Sequence, residues 1–182
     1  MELTEKEWQD RLEKIQTILR ENKGKNEKPI YYGFLDFDGV INVFMDPNTP
    51  EYEEIVLEKA KKFQFVNEFC MKRLSDLCEE YSIKLVISSS WRFSGVDYCR
   101  KYLINGGLNE NVEVVGTTEK EFSKSREVHI TDYLFEHPDF NGLIIFDDLN
   151  LPHLSSYLIH CETLKGFDAI KDSEARKLLS TF

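Results

Sequence analysis

Residues 30–40 of the chain read IYYGFLDFDGV, an apolar run followed by two aspartates that a single residue separates. The run is too short for a core helix and a proline precedes it, so it predicts a buried strand. Because side chains alternate between the faces of a strand, we expect Asp36 and Asp38 on one side and Phe37 on the other. Gly39 then permits a tight turn or the close approach of a ligand. This stretch therefore predicts a strand that delivers two carboxylates to one place.

Two further apolar runs also end in polar residues. The run over residues 83–87 is followed by Ser88 and Ser89, and the run over residues 143–146 is followed by Asp147 and Asp148. Ligands of parallel sheets bind at the carboxyl ends of the strands. We therefore expect the polar residues after all three strands to meet at one edge of a sheet.

Helical patterns separate these strands along the chain. Helices are predicted over residues 65–81, 96–104, 126–135 and 173–179, and weaker strands over residues 112–115 and 157–160. In the first of these helices the side chains expected to face the core are Phe69, Leu74 and Leu77. The alternation of strands and helices predicts a three-layer α/β fold around a mostly parallel sheet.

An amphipathic helix is predicted before the first strand, over about residues 4–20, because apolar residues recur there at helical spacing. They are Trp8, Leu12, Ile15 and Leu19. Thr4 and Glu7 form a predicted capping box. We divide the chain into this helix with its polar linker, residues 1–28, and a domain over residues 29–182. The helix is expected either to pack on the domain or to dock a partner, such as a second copy of the chain in a homo-oligomer.

Composition excludes several classes of protein. The 182 residues suffice for one domain with its own core, and 41% of them are hydrophobic. The net charge of −10 repels phosphate, which argues against non-specific binding of duplex nucleic acid. The four cysteines lack C-x-x-C spacing, which speaks against a zinc knuckle and fits a reducing, cytoplasmic compartment. We recognise no signal peptide and no membrane-spanning run, so no membrane partner is expected.

Paired aspartates after a strand suit two kinds of chemistry. Asp36 and Asp38 can hold a hard divalent cation, for which Mg²⁺ is the usual choice beside phosphate. Asp147 and Asp148 would offer further oxygen ligands. The first pair can also divide the labour, with one aspartate as nucleophile and the other as general acid and base. Phosphoryl transfer uses both kinds of chemistry.

Phosphoryl transfer also needs donors for the oxygens of the transferred group. Ser88 or Ser89 can give a hydroxyl, although either of them can instead cap the following helix. Arg126 or Lys124 can supply a cation. Arg126 is favoured because it directly precedes a helical pattern.

In order and in type, these residues resemble those of the haloacid dehalogenase-like (HAD) superfamily of phosphohydrolases. That superfamily carries D-x-D-x-[TV] after its first strand, Ser or Thr after its second, then Lys or Arg, and paired acids after its fourth. The resemblance covers roughly residues 30–180. Narrower features resemble compact HAD domains found in, or related to, RNA repair proteins. They are FLDFDGVIN at 34–42, SSWR at 89–92 and GFDA at 166–169.

The resemblance implies a Rossmann-like fold with little or no cap domain, and a role for each matching residue. Asp36 would attack the phosphoryl group and form an aspartyl-phosphate, and Asp38 would protonate the leaving oxygen and then activate water. Mg²⁺ would bind Asp36, the backbone carbonyl of Asp38, and Asp148 or Asp147. A serine hydroxyl and Arg126 would hold the phosphoryl oxygens.

Trp91 and Arg92 admit two interpretations. The indole face can stack on a base and the guanidinium can pair with phosphate, which would make both substrate contacts. Alternatively, the tryptophan packs under a loop and the arginine forms a structural ion pair. Lys124 is a third candidate for substrate binding. Residues 44–64 leave room for a small flap but hardly for a cap, so we expect an open site that admits a large substrate.

The predicted function is Mg²⁺-dependent hydrolysis of a phosphomonoester through an aspartyl-phosphate. The expected substrate is a nucleotide, a nucleic acid end or a phosphorylated metabolite. One alternative is phosphotransferase or phosphomutase activity on the same residues. The other is a binding module that keeps the HAD fold and the metal but does not turn over.

Overall fold

The computed structural model of the protein describes residues 3–25, 27–43, 65–121 and 123–182. Within these ranges the helices are α1 (Glu5–Asn22), α2 (Glu68–Tyr81), α3 (Val96–Asn105), α4 (Arg126–Glu136) and α5 (Ala169–Leu179). The strands are β1 (Tyr31–Leu35), β2 (Ile83–Ile87), β3 (Val114–Thr117), β4 (Gly142–Asp147) and β5 (Leu158–His160). Short 3-10 helices span Ser90–Ser94 and Ser155–Tyr157. None of the described helices combines the length and the apolar character that crossing a bilayer requires.

The strands form one parallel sheet in the order β3-β2-β1-β4-β5. In the central strand, Leu35 lies opposite Ile87 of β2 and Phe146 of β4, so these three strands end at the same edge. Helices cover both faces of the sheet, which confirms the predicted three-layer, Rossmann-like α/β fold. The flap predicted over residues 44–64 lies outside the described residues.

Two apolar layers fill the space between the sheet and its helices. Neighbouring residues of β1 point into different layers, because side chains alternate along a strand. Phe34 packs with Ile15 of α1 and Leu134 of α4 on one face. Leu35 packs with Leu74 of α2, and with residues of α3 and α5, on the other. Burial on both faces explains why the central strands are apolar throughout.

α1 packs on the domain, against α4. The predicted capping box is present at its N-terminus, and Trp8 and Ile15 of its predicted stripe are buried. Arg11 reaches across to α4, where its Nη1 lies 2.7 Å from Asp132 Oδ1. The division of the chain after residue 28, and the docking of a second copy through this helix, stay predictions.

Capping and strand pairing explain where element boundaries differ from those predicted. α5 begins at Ala169, several residues early, because the Asp168 carboxylate accepts hydrogen bonds from two backbone N–H groups of its first turn. β3 lies two residues later than predicted, where its register with β2 shifts between Leu85 and Val86. A local cap therefore moved the start of α5, and pairing with a strand distant in the chain moved β3.

One predicted core residue was wrong. Phe69 lies in the first turn of α2 with 72% of its surface exposed, and the residues that face the core there are Cys70 and Met71. One turn further on, Leu74 and Leu77 are buried as predicted. The side of α2 that faces the core therefore includes Cys70 and Met71 but not Phe69, the large apolar residue from which it was predicted.

Candidate active site

Three carboxylates meet at the carboxyl edge of the sheet. Asp36 directly follows β1, Asp147 ends β4, and Asp148 is the next residue. The two strands are neighbours, and Asp36 N donates a hydrogen bond of 2.9 Å to Phe146 O. Each acid offers one oxygen that lies within 4.8 Å of the other two. Asp36 and Asp147 are buried and Asp148 is partly exposed. We call these three residues the acid cluster.

Arg126, the first residue of α4, neutralises part of the acid cluster. Its Nη1 lies 2.8 Å from Asp36 Oδ2 and 2.6 Å from Asp147 Oδ2. Burial disfavours the charged guanidinium, but the two carboxylates outweigh burial and raise the pKa of Arg126. Both ion pairs use Nη1 of the guanidinium. The guanidinium also carries N–H donors on Nε and Nη2, and these suit an anionic ligand.

Asp147 is the most deeply buried acid of the cluster. Burial raises its pKa to about 6; the charge of Arg126 opposes that rise and the carboxylate of Asp36 adds to it. Its Oδ1 accepts a hydrogen bond of 2.9 Å from Leu149 N. A further positive charge beside it would favour the ionised form.

Asp148 is fixed by contacts from two loops. Thr163 Oγ1 donates a hydrogen bond of 2.8 Å to Asp148 Oδ2. Gly39 lies against the same carboxylate with φ of +78°, and a Cβ atom at this position would overlap the Asp148 side chain. The turn after β1 and the loop after β4 therefore touch at a residue that has to be glycine.

The acid cluster fits a divalent cation. Arg126 pairs with Asp36 and Asp147, and the charge of Arg92 also acts on Asp36, so the three carboxylates still exceed the positive charges around them in a place largely removed from water. Burying such an excess is unfavourable unless a cation compensates it. Carboxylate oxygens are the ligands of hard ions such as Mg²⁺. Asp36, Asp147 and Asp148 are thus the residues to which such an ion would bind.

The carboxylate of Asp38 has different partners. Trp91 Nε1 donates a hydrogen bond of 3.0 Å to Asp38 Oδ2, and Asn42 Nδ2 donates one of 2.9 Å to Oδ1. Asn42 returns to Asp38 because the backbone turns tightly, with Asn42 N donating to Phe37 O over 2.8 Å. The two aspartates that the sequence placed together therefore have separate surroundings.

The structure distinguishes the two candidate serines. Ser89 Oγ accepts a hydrogen bond of 3.3 Å from Trp91 N and caps the 3-10 helix Ser90–Ser94. Ser88 Oγ is buried, and among the described residues it finds no hydrogen-bond partner. Ser88 and Arg126 both line a cavity of about 160 Å³. Because an unsatisfied buried hydroxyl is costly, Ser88 is the serine better suited to meet a ligand oxygen.

The side chains of Arg92 and Lys124, which were predicted to contact substrate, have hydrogen-bond or ion-pair partners within the protein. Arg92 is buried, and it donates from Nε to Glu119 O over 2.9 Å and from Nη1 to Ser89 O over 3.0 Å. Lys124 Nζ lies 3.3 Å from Glu119 Oε2 and 3.2 Å from Asp132 Oδ2. Both side chains line the 160 Å³ cavity. Their contribution to substrate binding stays a prediction.

Residues 33–171 match the model of a family described as the HAD domain in Swiss Army Knife RNA repair proteins. The chain belongs to this family. The match runs from within β1 to the start of α5, so the HAD domain contains the acid cluster, Arg126 and Ser88. Membership confirms the resemblance found in the sequence and gives general support for a phosphatase or hydrolase of the HAD type. No curated protein and no solved structure matches the chain.

The GFDA motif of this HAD domain supports the turn that carries Asp38. Phe167 is fully buried, and its N–H donates a hydrogen bond of 2.8 Å to Val40 O. Asp168 caps α5. The motif thus connects the last helix to the turn after β1. The catalytic and binding roles expected of the individual site residues stay predictions.

Sequence analysis missed three polar residues of the HAD site. Asn42 and Thr163 bind the carboxylates of Asp38 and Asp148, and Tyr102 OH donates a hydrogen bond of 2.8 Å to Asn42 Oδ1. Asn42 ends the motif FLDFDGVIN, so a polar residue after an apolar pair was an available signal. Tyr102 and Thr163 carry no such local signal, because only tertiary folding brings them to the site.

Proposed function

We propose that this HAD domain hydrolyses phosphomonoesters with the help of a divalent cation, Mg²⁺ by preference. The observation that carries the proposal is the meeting, at one edge of the sheet, of the acid cluster, Arg126 and the hydroxyl of Ser88, which has no hydrogen-bond partner among the described residues. Carboxylates alone would suit a structural cation. The guanidinium and hydroxyl beside them add donors for a charged oxygen ligand, which is what a phosphoryl group requires.

In the first step Asp36 is the nucleophile. One of its carboxylate oxygens attacks phosphorus, the bond between phosphorus and the leaving oxygen breaks, and an aspartyl-phosphate forms. Asp38 gives its proton to the leaving oxygen. Ser88 and Arg126 donate hydrogen bonds to the phosphoryl oxygens.

The second step hydrolyses the aspartyl-phosphate. Asp38, now a carboxylate, takes a proton from a water molecule whose oxygen attacks phosphorus. The bond between Asp36 and phosphorus breaks and inorganic phosphate leaves. Asp38 is protonated again, as it was at the start, so the cycle closes without a further reactant.

Asp36, Asp147 and Asp148 would hold the cation, and the backbone carbonyl of Asp38 would add a further oxygen. When bound, the cation offsets the negative charge of the phosphoryl group and of its nucleophile. Arg126 pairs with both Asp36 and Asp147, so its positive charge offsets the repulsion between these two carboxylates. The nucleophile Asp36 can therefore stay in place beside Asp147.

The substrate class we propose is the phosphorylated end of a nucleotide or polynucleotide. Its support is the description of the family, which names RNA repair proteins. The net charge of −10 opposes broad contact with a phosphate backbone. We therefore expect recognition of the terminal phosphate and its nearest nucleotides, with little affinity for duplex.

The Asp36→Asn variant tests this function. It keeps the size of the side chain but removes the attacking carboxylate, so phosphate release should fall by at least about a thousandfold. Release is measured from a 5′- or 3′-phosphorylated RNA oligonucleotide and from 4-nitrophenyl phosphate, with Mg²⁺ and with a chelator. Asp76→Asn, on the exposed side of α2, is the matched control and should keep wild-type turnover.

The outcomes separate the competing functions. Metal-dependent release by the wild type that Asp36→Asn lacks supports the proposal, whereas wild-type turnover by the variant removes Asp36 as nucleophile. Recovery of the phosphate on a second acceptor identifies a phosphotransferase. Binding of Mg²⁺ without release from either substrate identifies a binding module.

A further inference from the structure

We propose that Trp91 and Asn42 are positioning residues, which hold the carboxyl group of Asp38 in the orientation that proton transfer to the leaving oxygen requires. The inference rests on the proposed function, in which Asp38 is the acid and base. It assigns to Trp91 a purpose other than stacking on a substrate base.

Both oxygens of Asp38 are engaged by donors from different parts of the chain. The indole N–H of Trp91 lies 3.0 Å from Oδ2 and the amide nitrogen of Asn42 lies 2.9 Å from Oδ1. An indole N–H can only donate, so Trp91 has one polar role, and here a carboxyl oxygen accepts its hydrogen bond. With one donor on each oxygen the carboxyl plane is fixed, and lone pairs remain on both oxygens for a proton.

The amide of Asn42 is itself oriented. Tyr102 OH donates a hydrogen bond of 2.8 Å to Asn42 Oδ1, which leaves the NH₂ side of the amide facing Asp38. Asn42 is 1% exposed, and its backbone N–H and C=O bond to Phe37 O and Gly39 N of the same turn. Donors and acceptors therefore alternate without conflict from Tyr102 through Asn42 to Asp38.

The indole ring of Trp91 is held by its neighbours. Its centroid lies 5.4 Å from the ring of Phe37, 4.6 Å from Tyr102 and 6.5 Å from Tyr98. Arg92, the next residue, donates hydrogen bonds from Nη1 to the carbonyl oxygens of Ser88 and Ser89. The N–H group that faces Asp38 thus projects from a packed ring on a constrained segment.

Such a support matters because Asp38 is only partly buried and its side chain has two rotatable bonds. A proton donor contributes to the rate only while it lies within hydrogen-bond reach of the leaving oxygen. Small displacements of a reacting group lower rates by large factors. Loss of the hydrogen bonds to Asp38 should therefore slow the departure of leaving groups that must be protonated. It should have little effect on leaving groups that depart as stable anions.

Leaving groups of different basicity test this inference. Benzyl phosphate releases an alkoxide that must be protonated as it leaves, whereas 4-nitrophenyl phosphate releases a stable phenolate that needs little help. Trp91→Phe keeps an aromatic ring and removes the N–H. We expect it to lower kcat/KM for benzyl phosphate by about tenfold or more, and for 4-nitrophenyl phosphate by less than about threefold. Tyr102→Phe, which removes only a hydroxyl, should give a smaller loss with the same preference.

Trp8→Phe is the control, because it makes the same substitution at the other tryptophan of the chain, which stacks on His153. It should change neither value of kcat/KM. Equal losses on the two esters in both Trp91→Phe and Tyr102→Phe would show a purely structural role and overturn the inference, as would no loss on either ester. A wild type that releases phosphate from neither ester, nor from the phosphorylated RNA oligonucleotide, would overturn the proposed function itself, and this inference with it.

Discussion

Gly39 shows how one residue joins the two halves of the acid cluster. Gly39 directly follows Asp38 in the turn that continues to Ile41. Its Cα faces the carboxylate of Asp148. Its φ of +78° is the left-handed region that other residues enter at a cost. The glycine thus meets two requirements at once, one of backbone conformation and one of space.

We expect Gly39→Ala to weaken the metal site. The new methyl group would push the Asp148 carboxylate from its place in the acid cluster, and the left-handed backbone would cost about 1–2 kcal/mol of stability. Isothermal titration with Mg²⁺ should show a loss of affinity of about tenfold or more. Urea unfolding measures the change in stability.

Gly24→Ala is a matched control for that substitution. Gly24 follows α1 with a similar φ of +73°, but a Cβ atom there would meet nothing within 4 Å. Both variants carry the backbone strain, and only Gly39→Ala disturbs the acid cluster. Unchanged Mg²⁺ affinity in Gly39→Ala would show that Asp148 is not a ligand.

Among the elements, α4 makes contacts in two directions through its first two residues. Arg126 faces the acid cluster, and the next residue, Glu127, is buried and turned toward the loop after β4. Glu127 Oε1 accepts hydrogen bonds from His153 N over 2.8 Å and from Leu154 N over 3.1 Å, and Oε2 lies 2.9 Å from His153 Nδ1. His153 in turn stacks on Trp8 of α1, with ring centroids 4.2 Å apart. These contacts connect two helices and a loop.

Replacing Glu127 should loosen that connection. Glu127→Gln keeps the shape of the side chain but presents an NH₂ group where one oxygen accepts hydrogen bonds. We expect the free energy of unfolding to fall by about 1–3 kcal/mol, because buried polar groups lose a partner. Chemical denaturation measures this loss. Glu136→Gln, at the exposed end of the same helix, should change stability by less than about 0.5 kcal/mol; an equal effect of both variants would contradict the expectation.

The elements that the sequence predicted best are those whose signal is local. β2 was predicted at its observed bounds, because an apolar run between polar residues is sufficient to mark a buried strand. The acid cluster followed from the same reasoning, since neighbouring parallel strands bring their ends together. The position of β3 was shifted, because its pairing with β2 depends on a partner distant in the chain. Contacts of Asp38 with Trp91, 53 residues away, lay beyond reach for the same reason.

At the scale of the whole molecule, charge governs the response to cations. The chain carries a net charge of −10, and the acid cluster concentrates part of it in one largely buried place. A cation that binds only the folded state stabilises it by mass action, by about 2.7 kcal/mol when its concentration is a hundred times Kd. The molecule should therefore be more stable with a suitable divalent ion than without one.

We expect saturating Mg²⁺ to raise Tm by roughly 5–10 °C for a domain of this size. Differential scanning calorimetry with Mg²⁺, and with NaCl at the same ionic strength, separates binding from screening of charge. Asp148→Asn should lose most of the shift. An equal rise of Tm in Mg²⁺ and in NaCl would indicate that the acid cluster does not bind the ion.

The cysteines are distributed unevenly about the sheet. They are Cys70, Cys78, Cys99 and Cys161, and all of them lie buried in the layer that α2, α3 and α5 cover. Burial raises the pKa of Cys78 and Cys161, so these thiols are protonated and unreactive in the native state. The sequence has no other cysteine. A thiol-modifying reagent will consequently record the opening of this layer of the molecule, and not that of the layer beneath α1 and α4.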